Sequence, residues 1–387
     1  MGAVPVAARW AARTQFFCSG FIFATWGVHV PTVKAHFGID DAQLGLAMLT
    51  AGCGALAGLA GASRWIGRHG ARGTARVCGM AYAPLLAGLL AMPDFGALLA
   101  LLALFGILTS VFDVSINTEA ARIELLGGRP LMSGMHGMFS LGGMVGAMTG
   151  GAALAAGIAP ERHLLAVALA MALAVGLASR RMLPSAETAF EAPPGERKGF
   201  RLPRGPLMLL GLLAALGLIA EGAIYDWSVL YLQQELGSPQ KQAALAYASF
   251  SAAMAATRFF GDALRARLAP AVLLRGSALL AAASMLLVLL SGVPGLALAG
   301  FAGVGIGFAN VVPILFAAAA RVPGVEPARG IAAVSALAYL GFMAGPPVIG
   351  FLAKLSSLTA ALYVVVGFAL ALAASARHAE PADRPAN

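Results

Sequence analysis

Long apolar segments dominate the sequence, and their length constrains the fold more than any other feature. A helix needs about 20 apolar residues to cross the hydrocarbon core of a bilayer. Twelve such segments lie at about 14–34, 42–63, 75–92, 96–120, 131–157, 163–181, 206–234, 242–262, 270–290, 294–320, 329–353 and 358–376. Only 11% of the residues are charged, against about a quarter in soluble domains, so a water-soluble fold is excluded. No segment alternates like a membrane β-strand, so the sequence predicts an all-α membrane protein with twelve transmembrane helices.

A polar stretch separates the sixth segment from the seventh. Residues 182–205 hold four prolines, three glutamates and four basic residues. Proline ends helices, and charged side chains favour water over lipid. This stretch predicts a cytoplasmic linker at 182–205 between two six-helix bundles, an N-terminal one at 1–181 and a C-terminal one at 206–387.

Lysine and arginine predict the orientation of the chain. With the N-terminus placed inside, 21 of the 26 basic residues fall in inside segments, 4 fall in outside loops, and Arg258 lies within a span. Basic residues concentrate on the cytoplasmic side of membrane proteins. We therefore expect a multi-pass protein of the bacterial inner membrane with both termini in the cytoplasm. The net charge of +9 then serves orientation toward anionic lipid and does not indicate nucleic-acid binding.

The two sets of spans show an internal repeat. The stretch SLGGMVG at 140–146 matches YLGFMAG at 339–345 with an offset of 199, and TWGV at 25–28 matches DWSV at 226–229 with an offset of 201. Asp113 and Asn310 correspond at an offset of 197. Because six spans return the chain to the same side, the pattern predicts two parallel six-helix pseudo-repeats related by an axis along the membrane normal. A binding site is expected at their interface near the midplane.

Several motifs resemble the major facilitator superfamily over essentially the whole chain. The loop after the second span reads GRHGAR at 67–72, which is similar to the Asp-Arg-x-Gly-Arg-Arg signature with Gly67 replacing Asp. The stretches FDVSIN, RPLMSGMHGMFSLGG, EGAIYDW and YLGFMAGPP resemble a little-characterised bacterial branch, distantly similar to fucose–proton symporters and microcin-immunity permeases. The resemblance implies the major facilitator fold, with spans 1, 4, 7 and 10 lining a central cavity.

Two acids within the spans are candidates for proton coupling. Glu221 lies 15 residues beyond Pro206, so the helical rise places it roughly 20 Å deep, near the centre of a ~30 Å core. A carboxylate there must face a wet cavity, pair with a cation or hold a proton. We expect Glu221 to face a polar cavity and carry the coupling proton, with Asp113 second. The alternative for both acids is a structural tether, with Arg258 a possible partner of Asp113.

Further polar and aromatic residues within the spans are candidates for substrate binding. Tyr225 shares the helical face of Glu221, whereas Asp226 points about 140° away, so Asp226 is either a gate or a structural group. His136 is either a proton shuttle or a helix-to-helix hydrogen bond. The predicted substrate site comprises Trp26, Asn117, His136, Glu221, Tyr225, Asp226, Trp227, Asn310 and Tyr339.

A cytoplasmic gate is predicted from charges near the inner ends of the spans. Arginines of the loop at 67–72 and acids of neighbouring spans would form ion pairs when the inner side closes. The gating residues are Arg68, Arg72, Glu119, Arg258 and Asp262.

These features favour a secondary active transporter over other classes. No metalloprotease, phosphate-loop or aspartyl-protease motif is present in the sequence, so an enzyme is not expected. Few cationic residues lie at midplane depth, which disfavours a multiply anionic ligand and leaves a small polar, sugar-like solute moved with protons, or a cation in the case of an exporter. The alternatives are a proton-antiport exporter of drug-like or peptide-like compounds and a membrane sensor or scaffold. We expect a monomer that binds a small-molecule substrate, protons and the lipid bilayer, with no cofactor, metal or nucleic acid.

Overall fold

The computed structural model describes residues 5–128, 131–188, 204–325 and 327–380, and every regular element within them is helical. The helices are α1 Val6–Phe37, α2 Asp41–Tyr82, α3 Leu85–Gly88, α4 Phe95–Gly127, α5 Met132–Ala155, α6 Pro160–Ser179, α7 Ser185–Thr188, α8 Pro206–Gln234, α9 Gln240–Arg267, α10 Pro270–Ser291, α11 Pro294–Phe308, α12 Val311–Ala319, α13 Pro327–Leu355 and α14 Leu358–Ala374.

These helices form twelve membrane spans, which confirms the predicted fold class. Nine stretches within the described residues are long and apolar enough to cross a membrane by length and composition. One of them, α2 with α3, bends back at Gly70 and supplies two spans. The more polar α9 and the shorter α14 complete the set, and α11 with α12 counts as one span.

Local signals in the sequence set the ends of the helices. Proline occupies the first turn of α6, α8, α10 and α11. The backbone N–H groups of a first turn have no acceptor within the helix, so the lack of an N–H in proline costs no hydrogen bond there. Asp40 caps α2 by accepting from the Gln43 N–H at 2.8 Å, and Asp94 caps α4 in the same way. We call the end of the bundle where α1 and α8 begin the linker end, and the opposite end, where α2 begins, the far end.

The prediction of a loop at 67–72 is wrong, because the chain there is helical except at Gly70. Gly70 has φ 69° and ψ 168°, which breaks α2 into its two spans. Such a positive φ favours glycine. A Cβ on Gly70 would also lie 2.5 Å from the carbonyl oxygen of Ser185, the first residue of α7. The short α7 therefore packs against this break at the linker end, while residues 189–203 of the predicted linker lie outside the described structure.

We call α1–α6 the first half and α8–α14 the second half. Within the first half, α2 and α4 pack with their backbones in contact, because a Cβ on Gly106 would overlap the carbonyl oxygen of Ala51. Small residues permit this close approach in membranes, where van der Waals packing drives helix association. Between the halves, α5 packs on α9, α2 on α13 and α1 on α8. The space left between these three contacts holds the candidate site.

Candidate functional site

A cavity of about 260 Å³ lies between the two halves. Its walls come from α1, α2 and α4 of the first half and from α8 and α13 of the second half. Most of the lining is aromatic, aliphatic or methionine, and its ionisable groups are Asp113, Asp226 and Tyr339. The lining residues are Phe23, Trp26, Met48, Ala51, Gly52, Ala55, Leu56, Leu59, Leu102, Phe105, Gly106, Thr109, Ser110, Asp113, Val114, Asp226, Tyr339, Phe342, Met343 and Pro346.

The two carboxylates of the cavity lie at different depths. Asp226 is 20 residues beyond the start of α8 at Pro206, or about 30 Å from the linker end by helical rise. Asp113 is 14 residues before the end of α4 at Gly127, or about 20 Å from the linker end. Tyr339, which is 46% exposed, is 12 residues beyond the start of α13 at Pro327, or about 18 Å from the linker end, close to the depth of Asp113. The cavity therefore runs from Asp226 near the far end to Asp113 and Tyr339 nearer the linker end.

Polar contacts between the halves close the far end. Lys354 of α13 forms an ion pair with Asp40, the cap of α2, at 3.0 Å. Gln240 at the start of α9 donates through Nε2 to the carbonyl oxygen of Val28 and to Thr32 Oγ1, both at 2.8 Å. Lys34 also pairs with Asp41, but both residues belong to the first half. Among the described residues, two hydrogen bonds from Gln240 and the ion pair between Lys354 and Asp40 thus hold the far end shut.

Close helix packing completes this seal. A Cβ on Gly350 of α13 would lie 2.5 Å from the carbonyl oxygen of Asp41 and 3.1 Å from the Cα of Gly45. Trp227 of α8 lies against the same point and is fully buried. Hydrogen bonds from the Gln43 N–H and from the Lys354 ammonium hold the pKa of Asp40 below its usual range. Asp40 is therefore ionised, and its ion pair intact, at neutral pH.

Asp226 is the most isolated charged group of the cavity. The residue is only 6% exposed. Within the described residues its carboxylate makes no hydrogen bond or ion pair. Asp113 is half-buried and likewise has no cationic partner in the described part of the chain. Asn117, one turn further on, donates to the Asp113 backbone carbonyl at 2.9 Å. An uncompensated carboxylate in apolar surroundings costs free energy until a proton or a cation neutralises it.

The structure corrects the expectation that Glu221 faces the cavity. Its Oε1 accepts from Arg258 Nη2 at 3.0 Å, and both side chains are nearly buried. Arg258 Nη1 also donates to Ser140 Oγ of α5 at 2.9 Å, and Ser133 Oγ donates to the Arg258 carbonyl at 2.7 Å. Arg258 thus neutralises Glu221 and bridges the two halves deep in the bundle. The suggested ion pair between Asp113 and Arg258 does not form in this structure.

The remaining predicted substrate residues divide between the cavity and its surroundings. Trp26, Asp226 and Tyr339 line the cavity together with Asp113. Tyr225 packs edge-to-face on Phe23 and Phe250, with ring centroids at 6.0 and 5.0 Å. The other predicted residues outside the lining are Asn117, His136, Glu221, Trp227 and Asn310.

The packing of His136, Asn310 and Trp227 explains why these three residues lie outside the lining. His136 packs its ring edge-to-face on Phe16 at 5.3 Å. Asn310 is 2% exposed and occupies the break between α11 and α12. Trp26 and Trp227 hold matching repeat positions, yet Trp26 lines the cavity and Trp227 packs in the seal. The repeat therefore does not give the two tryptophans equivalent surroundings.

The predicted gating residues lie mostly at the linker end. Glu119 is buried, and its Oε1 accepts from the Leu183 N–H at 2.6 Å, which fastens α4 to the segment after α6. Arg68 is exposed and Arg72 is half-buried. The side chain of Asp262 lies outside the described structure. Arg258 lies with Glu221 inside the bundle, away from this end.

Sequence reasoning missed the contribution of α2 to the cavity and, apart from Tyr339, that of α13. The resemblance implies a lining from spans 1, 4, 7 and 10, but span 10 contributes no residue to the described lining. Span 11 supplies Tyr339, Phe342, Met343 and Pro346 instead. The repeat motif YLGFMAG contains three of these four residues, so this motif could have indicated that span 11 lines the cavity.

Comparisons with known proteins identify the relatives of this chain. The sequence profile of the Major Facilitator Superfamily matches residues 14–326 and 229–387. An uncharacterized MFS-type transporter of Yersinia pestis is 34% identical over 367 residues, which covers 95% of this chain and 94% of that protein.

Solved structures share the fold at much lower identity. The xylose transporter XylE from E. coli, in an inward open conformation, matches with a TM-score of 0.74 and 13% identity over 95% of this chain and 94% of that one. A bacterial homolog of the human lysosomal transporter Spinster, inward-facing and unoccupied, matches with a TM-score of 0.72 and 16% identity over 99% of this chain and 100% of that one. At these identities the likeness extends to the fold.

Proposed function

The chain belongs to the major facilitator superfamily, a family of transporters and not of enzymes, and we propose that it is a proton-coupled secondary transporter that works by alternating access. The two halves would rock about the cavity between them and expose it first to one side of the membrane and then to the other. The single observation that carries the proposal is the cavity itself, closed at the far end and lined by two carboxylates without cationic partners in the described residues.

Asp226 and Asp113 take the place of Glu221 as the leading proton carriers. Arg258 pairs with Glu221 at 3.0 Å, so this carboxylate already has a counter-charge. Asp226 and Asp113 lie in an apolar cavity, where a proton removes the cost of an isolated negative charge. During transport the carrier passes through states in which the cavity is closed, and an ionised carboxylate without a counter-charge is costly there. We therefore expect protons to bind to Asp226 and Asp113. The Arg258–Glu221 pair instead joins α8 and α9 to Ser140 of the first half.

The basic residues assign the two ends of the bundle to the two sides of the membrane. Because 21 of the 26 basic residues fall in segments that the sequence predicts to be inside, we place the linker end at the cytoplasmic side of a bacterial inner membrane. The seal at the far end then closes the outer side, and the described state is inward-facing. Each chain contains a complete cavity between its own halves, so a monomer suffices for transport.

The lining supports a partly apolar solute better than a sugar. A sugar-sized polyol needs many hydrogen-bond partners, because each buried hydroxyl without one costs free energy. The polar side chains of the lining are only Thr109, Ser110, Asp113, Asp226 and Tyr339 among twenty residues. Sugar–proton symport, the expectation from sequence, stays the second candidate, supported by the fold shared with the xylose transporter.

The reconstituted protein can test proton coupling before its solute is known. Proteoliposomes that enclose a pH-sensitive dye are challenged with sugars, nucleosides, amino acids and organic amines, with and without an imposed pH gradient. A solute-dependent proton flux that grows with the gradient is expected for the native chain and lost in Asp226→Asn and in Asp113→Asn. Asp94→Asn is the matched control, because asparagine still caps α4 and the site lies outside the cavity. Full gradient-driven proton flux in both cavity variants would refute the assignment.

A further inference from the structure

Asp226 combines three properties that rarely occur together. It is only 6% exposed, it lines the cavity, and its carboxylate has no partner among the described residues. A buried ionised carboxylate is ordinarily paired or coordinated. A proton or a cationic group of the molecule that occupies the cavity would neutralise this carboxylate, whereas water in the cavity would only hydrate it.

Aromatic rings line the same cavity. Trp26 and Phe23 come from α1, and Phe342 comes from α13. Trp26 is 20 residues beyond the start of α1 at Val6, so the helical rise places it at the depth of Asp226. The faces of aromatic rings attract cations, and tryptophan attracts them most strongly. Quaternary and alkylated ammonium groups are recognised by such rings, because their weakly hydrated surface also gains from apolar contact.

We infer that the cavity binds a small organic cation, an amine or quaternary ammonium with an apolar body, whose charge lies against Asp226 and the ring of Trp26. The inference rests on the proposed function and specifies its substrate class. The apolar body would lie along Met48, Phe342 and Met343 toward Asp113. A volume of about 260 Å³ admits a molecule with one aromatic ring and a small ammonium group.

The groups around the cavity exclude anions and metal ions as ligands. The described lining contains no lysine, arginine or histidine, so an anion would meet only carboxylates. Arg258 is committed to Glu221. A metal ion would need several oxygen or nitrogen ligands in one place, and no group of three such acidic, histidine or cysteine residues occurs in the described part of the chain. An organic cation needs only one carboxylate and apolar contact, and the cavity offers both.

The same carboxylate would bind the cation and the proton in turn. A protonated carboxyl has no charge, so the arriving cation displaces the proton into water, and the net charge at Asp226 stays the same. The other titratable groups around Asp226 are Tyr247 of α9, Tyr339 of α13, Tyr225 and Glu221 on its own helix and Asp113 of α4. On α1, His29 turns away and contacts His163 of α6 at 2.9 Å. Such competition produces exchange of cation for proton and not symport.

Calorimetry of the purified full-length protein in lipid nanodiscs tests this inference. The probe is phenyltrimethylammonium, and its comparator is tert-butylbenzene, which has the same shape with carbon in place of the charged nitrogen. We expect the cation to bind and the neutral isostere to bind at least about tenfold more weakly. Asp226→Asn should lower the affinity for the cation at least about tenfold, and Trp26→Leu should lower it less. Asp94→Asn should leave this affinity unchanged. Equal affinity for the two probes, or no effect of Asp226→Asn, would overturn the inference.

A second measurement keeps the test independent of variant folding. In weakly buffered solution, binding of phenyltrimethylammonium to the native protein should release up to about one proton per cation, detected with a pH-sensitive dye. Binding without proton release would also count against exchange at Asp226. If the cation binds and releases protons but no gradient-driven proton flux appears, the proposed transport fails and the site stands. If another solute gives that flux and the cation does not bind, the transport stands and the inference fails.

Discussion

Lys354 of α13 and Asp40 at the start of α2 form a 3.0 Å ion pair that joins the two halves of the protein at its far end. Nearby, the ion pair between Lys34 and Asp41 joins two elements of the same half. Alternating access requires the first of these pairs to break and leaves the second intact. The two pairs therefore offer a matched comparison between an interaction that reports conformation and one that does not.

Removing the charge of Asp40 should favour opening of the far end. Asparagine still accepts the Gln43 N–H and caps α2, so Asp40→Asn removes only the attraction to Lys354. Because both side chains are partly exposed, we expect a shift of about two- to fivefold toward the open form. Spin labels at the exposed Leu46 and Leu355, with the three cysteines replaced, would measure the distance distribution. Asp41→Asn is the control, and an equal shift in that variant would contradict the prediction.

The seal should not respond to pH in the neutral range through Asp40. Its pKa is below the usual value because the Gln43 N–H and Lys354 stabilise the ionised form. A group with a depressed folded-state pKa stabilises the paired state above its unpaired pKa and loses this effect as pH falls through the lowered value. The effect of Asp40→Asn on the label distances should therefore be the same at neutral and mildly acidic pH. An effect that disappears on mild acidification would show that Asp40 is already protonated there.

Two glycine substitutions should separate opening from unfolding. A Cβ on Gly350 meets the Asp41 carbonyl across the two halves, so Gly350→Ala should push the far end open and leave each half intact. A Cβ on Gly106 meets the backbone of Ala51 within the first half, so Gly106→Ala should lower the free energy of unfolding by about 1–3 kcal/mol. Thermal unfolding and the label distances measure the two effects. Equal loss of thermal stability in both variants would show that the α2–α13 contact is permanent.

Neutralising Glu221 should destabilise the protein through Arg258. Glu221→Gln leaves a buried guanidinium with Ser140 but without a counter-charge. Removing one partner of a buried ion pair typically costs about 3–5 kcal/mol. The double variant Glu221→Gln with Arg258→Gln should recover part of this loss, because no charge is then left unpaired. Thermal unfolding of the single and double variants measures the coupling, and additive losses would argue against a direct pair.

The sequence by itself determined the number of spans and the ends of many helices, because bilayer thickness, proline and capping residues act locally. It also marked Asp113, Glu221 and Asp226 as unusual, since charge at bilayer depth is costly wherever the side chain points. Only the tertiary structure decided that Asp226 lines the cavity while Glu221 pairs with Arg258, 37 residues further along the chain. Spans such as α4, α5 and α8 are apolar on nearly all sides, so no polar stripe fixes the rotation of these helices about their axes. That rotation follows from packing against distant helices, which also gives Trp26 and Trp227 different surroundings from matching positions in the repeat.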